Sequence, residues 1–162
     1  MKFIPTLFLS TALVATPLMA EEVSMVSTKR LTLVTAVKIA QSAIAECTKK
    51  GIQIGVTVVD REGIVQATLR DTIAAQITVP ISQDKAYTAA NFNAATSSMA
   101  DRAGTPIGRQ PRLIMSAGGL PIQVGGALVG AVGVSGAPSG ETDEECAQAG
   151  IDAVIDDLEM SM

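Results

Sequence analysis

Residues 118–150 read GGLPIQVGGALVGAVGVSGAPSGETDEECAQAG, and the order of small, apolar and acidic residues along this run decides how the chain folds. Gly118, Gly119 and Pro121 punctuate its start, residues 122–124 predict a short strand, and Gly125-Gly126 offers the positive φ angles of a tight hairpin. Ala127–Ser135 predicts the partner strand. Gly130, Ala131 and Gly133 leave that strand little side-chain bulk, which implies close approach of a backbone, a neighbouring subunit or a ligand. After the turn at residues 136–140, Thr142 is placed to cap a helix, with Glu145 completing a capping box. Asp143, Glu144 and Glu145 suit the positive end of that helix dipole.

Working back from this run, Leu33, Ala36, Val37, Ala40, Ala43, Ile44 and Cys47 recur at helical spacing after Thr32, and Gly51 stands where a C-terminal cap belongs. Residues 52–59 are β-branched, residues 60–63 form a turn, and residues 64–69 predict the second strand of a hairpin. Residues 71–79 are open between loop and short helix, and Pro80 ends them. Residues 81–95 predict a helix with Ser82 as its candidate cap, and residues 97–102 a further helical piece. Residues 103–117 are loop-like, with 113–115 (Leu113-Ile114-Met115) as a third strand. The order of helix, hairpin, helices, three more strands and helix predicts an α+β fold with an antiparallel sheet.

The chain has 162 residues. Lys2, the apolar stretch 3–14 and the small residue Ala20 before Glu21-Glu22 predict a signal peptide over residues 1–20, and hence a periplasmic or secreted product. Residues 21–30 read as a linker and residues 31–162 as one domain. Without residues 1–20 the chain carries 11 bases against 16 acids, a net charge of −5. That balance argues against nucleic acid as a partner, and no stretch after residue 20 is long and apolar enough to span a bilayer. Cys47 falls near the end of one predicted helix and Cys146 near the start of another. Antiparallel packing of the two helices predicts a disulfide in an oxidising compartment, against the alternative of two separate buried thiols.

Histidine is absent from the chain, which excludes a Ser-His-Asp triad, a Cys-His dyad and histidine metal ligation within one subunit. Gly133-Val134-Ser135-Gly136 lacks the spacing of a nucleophile elbow, and there is no phosphate-binding glycine motif. Asp143, Glu144 and Glu145 are adjacent on a helix and therefore point in different directions. They read as a solvated first turn, not as a metal cluster, so neither a metal site nor a catalytic set is assigned.

Charge is unevenly spread. Between Lys85 and Gly140 the charged residues are Lys85, Arg102, Arg109 and Arg112 against Asp101 alone. The arginines lie among Gly104, Gly108, Gly118 and Gly119, whose amides can approach a carboxylate or phosphate. The alternative is that these bases pair with acids elsewhere in the chain or on a neighbour. Lys85, Thr88 and Phe92 can share one helical face; Phe92 reads as core, whereas Lys85 and Thr88 can line a pocket with the Gly118 loop. The candidate ligand-binding set is Lys85, Thr88, Arg102, Arg109, Arg112, Gly118, Gly119 and Pro121.

The words GGLPI, VGAVGVSG and DEECAQAG, in that order, together with the Lys85-Ala86-Tyr87-Thr88-Ala89 word, resemble the GlcG/HbpS-like family, the haem-degrading domain family related to the PduO C-terminal domain. The likeness runs over residues 31–158. It implies a profilin-like fold, a five-stranded antiparallel sheet with packed helices, and a homo-oligomer, for which the small-residue strand 130–136 supplies a surface that a neighbour would cover. It implies haem as the ligand. Haem sites ordinarily supply an axial His, Cys, Met or Tyr; here Tyr87 is the candidate axial ligand, with Met99 and Met115 behind it. The arginines would meet haem propionates or a small organic acid equally well. The resulting expectation is an exported binding protein for haem or a small anion, in a sensing, scavenging or accessory role. The alternatives are an enzyme acting on haem or a small hydroxy acid, with Lys85 or Tyr87 as acid or base, and an accessory subunit of an oxidoreductase system.

Overall fold

The computed structural model describes residues 24–162; the expected signal peptide lies outside them. Helix α1 spans Leu33–Lys49 and begins where the Thr32 hydroxyl accepts a hydrogen bond from the Thr35 amide. It stops in the manner that Gly51 predicts. With φ at +75°, Gly51 donates to the Thr48 carbonyl and Ile52 donates to that of Cys47, so the last turn's carbonyls are satisfied. Ala36, Ile39, Ala40, Ala43 and Cys47 form its buried stripe.

Strands β1 (Gly55–Asp60) and β2 (Val65–Arg70) form the first hairpin, helix α2 spans Thr78–Phe92, and a 3-10 helix follows at Thr96–Arg102. Strands β3 (Gly119–Val124) and β4 (Ala127–Ser135) are joined by Gly125-Gly126, both at positive φ as the hairpin demands. Helices α3 (Gly140–Asp152) and α4 (Ile155–Glu159) complete the domain. All pairings are antiparallel, in the order β2-β1-β4-β3.

The sheet therefore has four strands, not the expected five. Residues 113–115 adopt no regular structure, because the Ile114 amide donates to the Thr88 hydroxyl instead of a ladder carbonyl. Helix α2 starts at Thr78, so Pro80 lies in its first turn, where a missing N–H costs nothing, and does not end the preceding segment. Ser82 is consequently not a cap; it is buried inside the helix, 3.0 Å from the Thr57 hydroxyl. The cap of α3 is Ser139, whose hydroxyl accepts from the Thr142 amide, rather than Thr142 itself.

Two layers of helix enclose the sheet. Val56, Val58, Ile122, Val124, Val132 and Val134 face α1 and α3 in one continuous core. On the opposite face α2 lies almost on the backbone of the strands, against Val59 and Ala131. A Cβ on Gly133 would stand 2.5 Å from the Ala86 amide nitrogen, and one on Gly119 would stand 2.5 Å from the Lys85 carbonyl oxygen. The small residues of β4 are thus explained within the chain. β4 is an interior strand paired on both sides, with α2 over Gly133 and Leu31 over Gly130, so the cover expected from a neighbouring subunit is not required there. The sheet edges are β2 and β3; Pro121, which cannot donate to a ladder, stands on the latter. Cys47 and Cys146 form the expected disulfide, tying the end of α1 to α3 with 5.6 Å between their Cα atoms. Among the described residues, no helix is long and apolar enough to cross a membrane.

Candidate functional site

Lys85 and Thr88 stand one turn apart on the face of α2 that turns inward, and both are buried. Lys85 reaches past the Gly118 backbone: its Nζ donates to the Val134 carbonyl at 3.1 Å and to Asp143 Oδ2 at 2.8 Å. Gly118 is obligatory beside it, with φ at +128° and no room for a Cβ next to the ammonium. Asp143 in turn accepts from the Ala137 amide at 2.9 Å. Burial pushes its carboxyl above the ordinary carboxylate value, while the hydrogen bonds from Lys85 and from the Ala137 amide pull the other way.

The expected solvated turn holds for Glu145, which is exposed, but not for Asp143, which is buried, or Glu144, which is half-buried. Asp143 is buried with Lys85. The Glu144 Oε1 accepts from the Ser97 amide at 3.1 Å and from the Gly118 amide at 3.2 Å. Glu145 pairs with Lys50 just beyond α1, and Cys146 carries the disulfide. These four consecutive residues hold α2, the two ends of the loop from Ser97 to Gly118, and the end of α1. The divergence of adjacent helical side chains, which argues against a metal cluster, is what lets them do so. A readable signal was the spacing: Asp143, Cys146, Ala147 and Gly150 share the buried side of α3, and a lysine buried in α2 requires an acid.

Thr88 donates to the Asp84 carbonyl at 2.7 Å and accepts from the Ile114 amide at 2.9 Å, pinning the loop that follows the 3-10 helix. Thr96 accepts from the Gly119 amide at 2.9 Å. Lys85, Thr88, Gly118 and Gly119 thus meet as a packed seam beneath the surface. Pro121 lies farther along β3, half-buried.

The three arginines lie outside this seam. Arg112, in the left-handed region at φ 69°, places its guanidinium 4.1 Å from the centre of the Tyr87 ring and its Nε 3.3 Å from Asp84 Oδ1. Tyr87 is half-buried between that cation and Gly63, whose added Cβ would touch the ring at 2.8 Å. Arg102 and Arg109 are exposed and form no ion pair among the described residues. The arrangement is a rigid seam carrying a loop whose free cations face solvent. Met99 and Met115 are buried.

Residues 31–152 match the family model described as haem degrading protein HbpS-like. A curated relative, an uncharacterised 15.0 kDa protein from the dhaT-dhaS intergenic region of Citrobacter freundii, is 33% identical over 113 residues, 65% of this chain and 80% of the relative. The crystal structure of a double mutant of Streptomyces reticuli HbpS superposes with a TM-score of 0.77 at 36% identity, over 87% of this chain and 98% of that one. A structure of the PduOC:heme complex matches with a TM-score of 0.70 at 25% identity, over 76% of this chain and 94% of its own.

Proposed function

The chain belongs to the HbpS-like family, and from that premise we propose that it is an exported protein that binds haem or a smaller organic anion and acts by sensing, scavenging or delivering it. The observation that carries the reading is the likeness to a domain solved as a heme complex, 25% identical and matched over 94% of its length. The chain's own residues fit the carboxylate end of such a ligand. Arg102 and Arg109 are exposed cations in a region almost without acids, and a guanidinium recognises a carboxylate through paired N–H donors. Tyr87, whose ring lies beneath the Arg112 guanidinium of the same loop, would serve as the iron ligand. The protein works as a homo-oligomer.

Binding is favoured over catalysis because Lys85, the other acid–base candidate, spends its ammonium on Asp143 and the Val134 carbonyl inside the fold. Titrating the purified protein with hemin should give a saturable Soret change at a defined stoichiometry. A linear, unsaturable response would overturn the haem reading.

A further inference from the structure

The loop that carries Arg102, Arg109 and Arg112 leaves the core at Ser97 and returns at Gly118. Both amides donate to the same atom, Glu144 Oε1. One residue inward on each side, the Gly119 amide donates to the Thr96 hydroxyl, so the two ends of the loop are also joined directly. Glu144 itself is half-buried on α3, between Asp143, fixed to Lys85, and Glu145, fixed to Lys50. The Gly118 carbonyl also accepts from the Val134 amide at 2.8 Å. The neck of the loop is held from the sheet, from the 3-10 helix and from α3 at once.

We propose that Glu144 is the positioning residue of the ligand site: it touches no ligand, and it closes the neck of the arginine-bearing loop so that Arg102 and Arg109 are presented at a fixed spacing. The inference rests on the haem-binding reading above. Its physical basis is that one acceptor oxygen joins the two neck amides, which would otherwise lack this partner, and that ordering a loop before binding removes an entropic cost from binding. What Glu144 contributes is reach, since one oxygen must meet two amides at 3.1 and 3.2 Å.

Charge and reach can be separated. Glu144→Gln keeps the length and one carbonyl acceptor but loses the charge; Glu144→Asp keeps the charge but withdraws the oxygen by one methylene. Hemin titration and hydrogen exchange of the peptides containing residues 96–98 and 116–119 are measured on full-length wild type, both variants and Glu144→Ala. Positioning predicts affinity within about threefold of wild type for Gln and losses of about tenfold for Asp and Ala. Exchange at both necks should rise together in Asp and Ala only. Glu145→Ala, which breaks the Lys50 pair on the far side of the helix, should alter neither. Binding retained in Asp and lost in Gln would make the role electrostatic and overturn the proposal, as would exchange that rises at one neck alone. Should the wild type take up no hemin, the haem reading fails, and the exchange arm still decides whether Glu144 closes the loop.

Discussion

Lys85 Nζ and Asp143 Oδ2 stand 2.8 Å apart with 6% and 5% of their side chains exposed, a charged contact closed inside the domain. The pair joins α2 to α3 across the end of β4. Removing either partner leaves the other buried without a counter-charge, which costs about 3–5 kcal/mol. Asp143→Ala should lose that much in urea denaturation. Lys85→Met combined with Asp143→Leu should be more stable than either single variant, because no unpaired charge remains. A loss below about 1 kcal/mol in Asp143→Ala would show that water reaches the pair.

The direction of the Asp143 shift gives stability an unusual slope. Burial raises its folded carboxyl above the ordinary 3.8, so over the window just above that value the folded chain holds a proton that the unfolded chain has lost. Stability falls as pH rises through such a window. Glu141 runs the opposite way: its own backbone amide and the Ser139 hydroxyl lower it from 4.5, so its contribution is present above that value and is lost on acidification. Asp143→Asn should therefore lose stability more steeply on acidification than wild type when both are denatured at pH values from about 4 to about 7. Parallel curves would remove Asp143 from the account.

The disulfide closes a separation of 99 residues between Cys47 and Cys146. In the chain-entropy description a loop of that length contributes about 4.7 kcal/mol. Reduction, or replacement of both cysteines by alanine, should lower the melting temperature by roughly 10–20 °C. A change of under about 3 °C would mean that packing of α1 on α3 alone carries this contact.

How far this molecule was legible follows from which signals are local. The Gly51 cap, the Gly125-Gly126 hairpin and the apolar stripe of α1 depend on neighbours within a few residues, and each stands where its pattern places it. The third strand at 113–115 failed because an apolar word does not say whether a partner strand has an open ladder; here Thr88 takes the amide instead. Gly133 of β4 signalled close approach correctly, but the approaching backbone, α2, follows a long-range contact that no local pattern contains. Asp143 and Glu144 were hidden for a related reason. An acidic first turn is favourable for helix reasons alone, so its burial shows only once Lys85 lies across from it.

The close seat of α2 can be tested by adding one methyl group. At Gly133 an alanine Cβ would stand 2.5 Å from the Ala86 amide nitrogen, whereas at Gly104 nothing lies within 4 Å. Gly133→Ala should cost about 1–3 kcal/mol or more, because helix and strand must separate. Gly104→Ala should be neutral or stabilising by about 0.4–1 kcal/mol. Equal effects at the two sites would contradict the packing of α2 on β4.

The arginines divide by what they already hold. Arg102 and Arg109 are exposed and without ion pairs among the described residues, so each is available to a ligand carboxylate. Arg112 is engaged by Asp84 and by the Tyr87 ring. Arg102→Ala with Arg109→Ala should weaken hemin by about tenfold, equivalent to about 1.4 kcal/mol, and the loss should shrink as salt rises because exposed charges are screened. Arg112→Ala should act differently. It uncovers Tyr87, so its main effect should be on the Soret position, and that effect should vanish in a Tyr87→Phe background. If the double arginine variant binds as tightly as wild type at low salt, the ligand's carboxylates are held elsewhere and the loop is not its site.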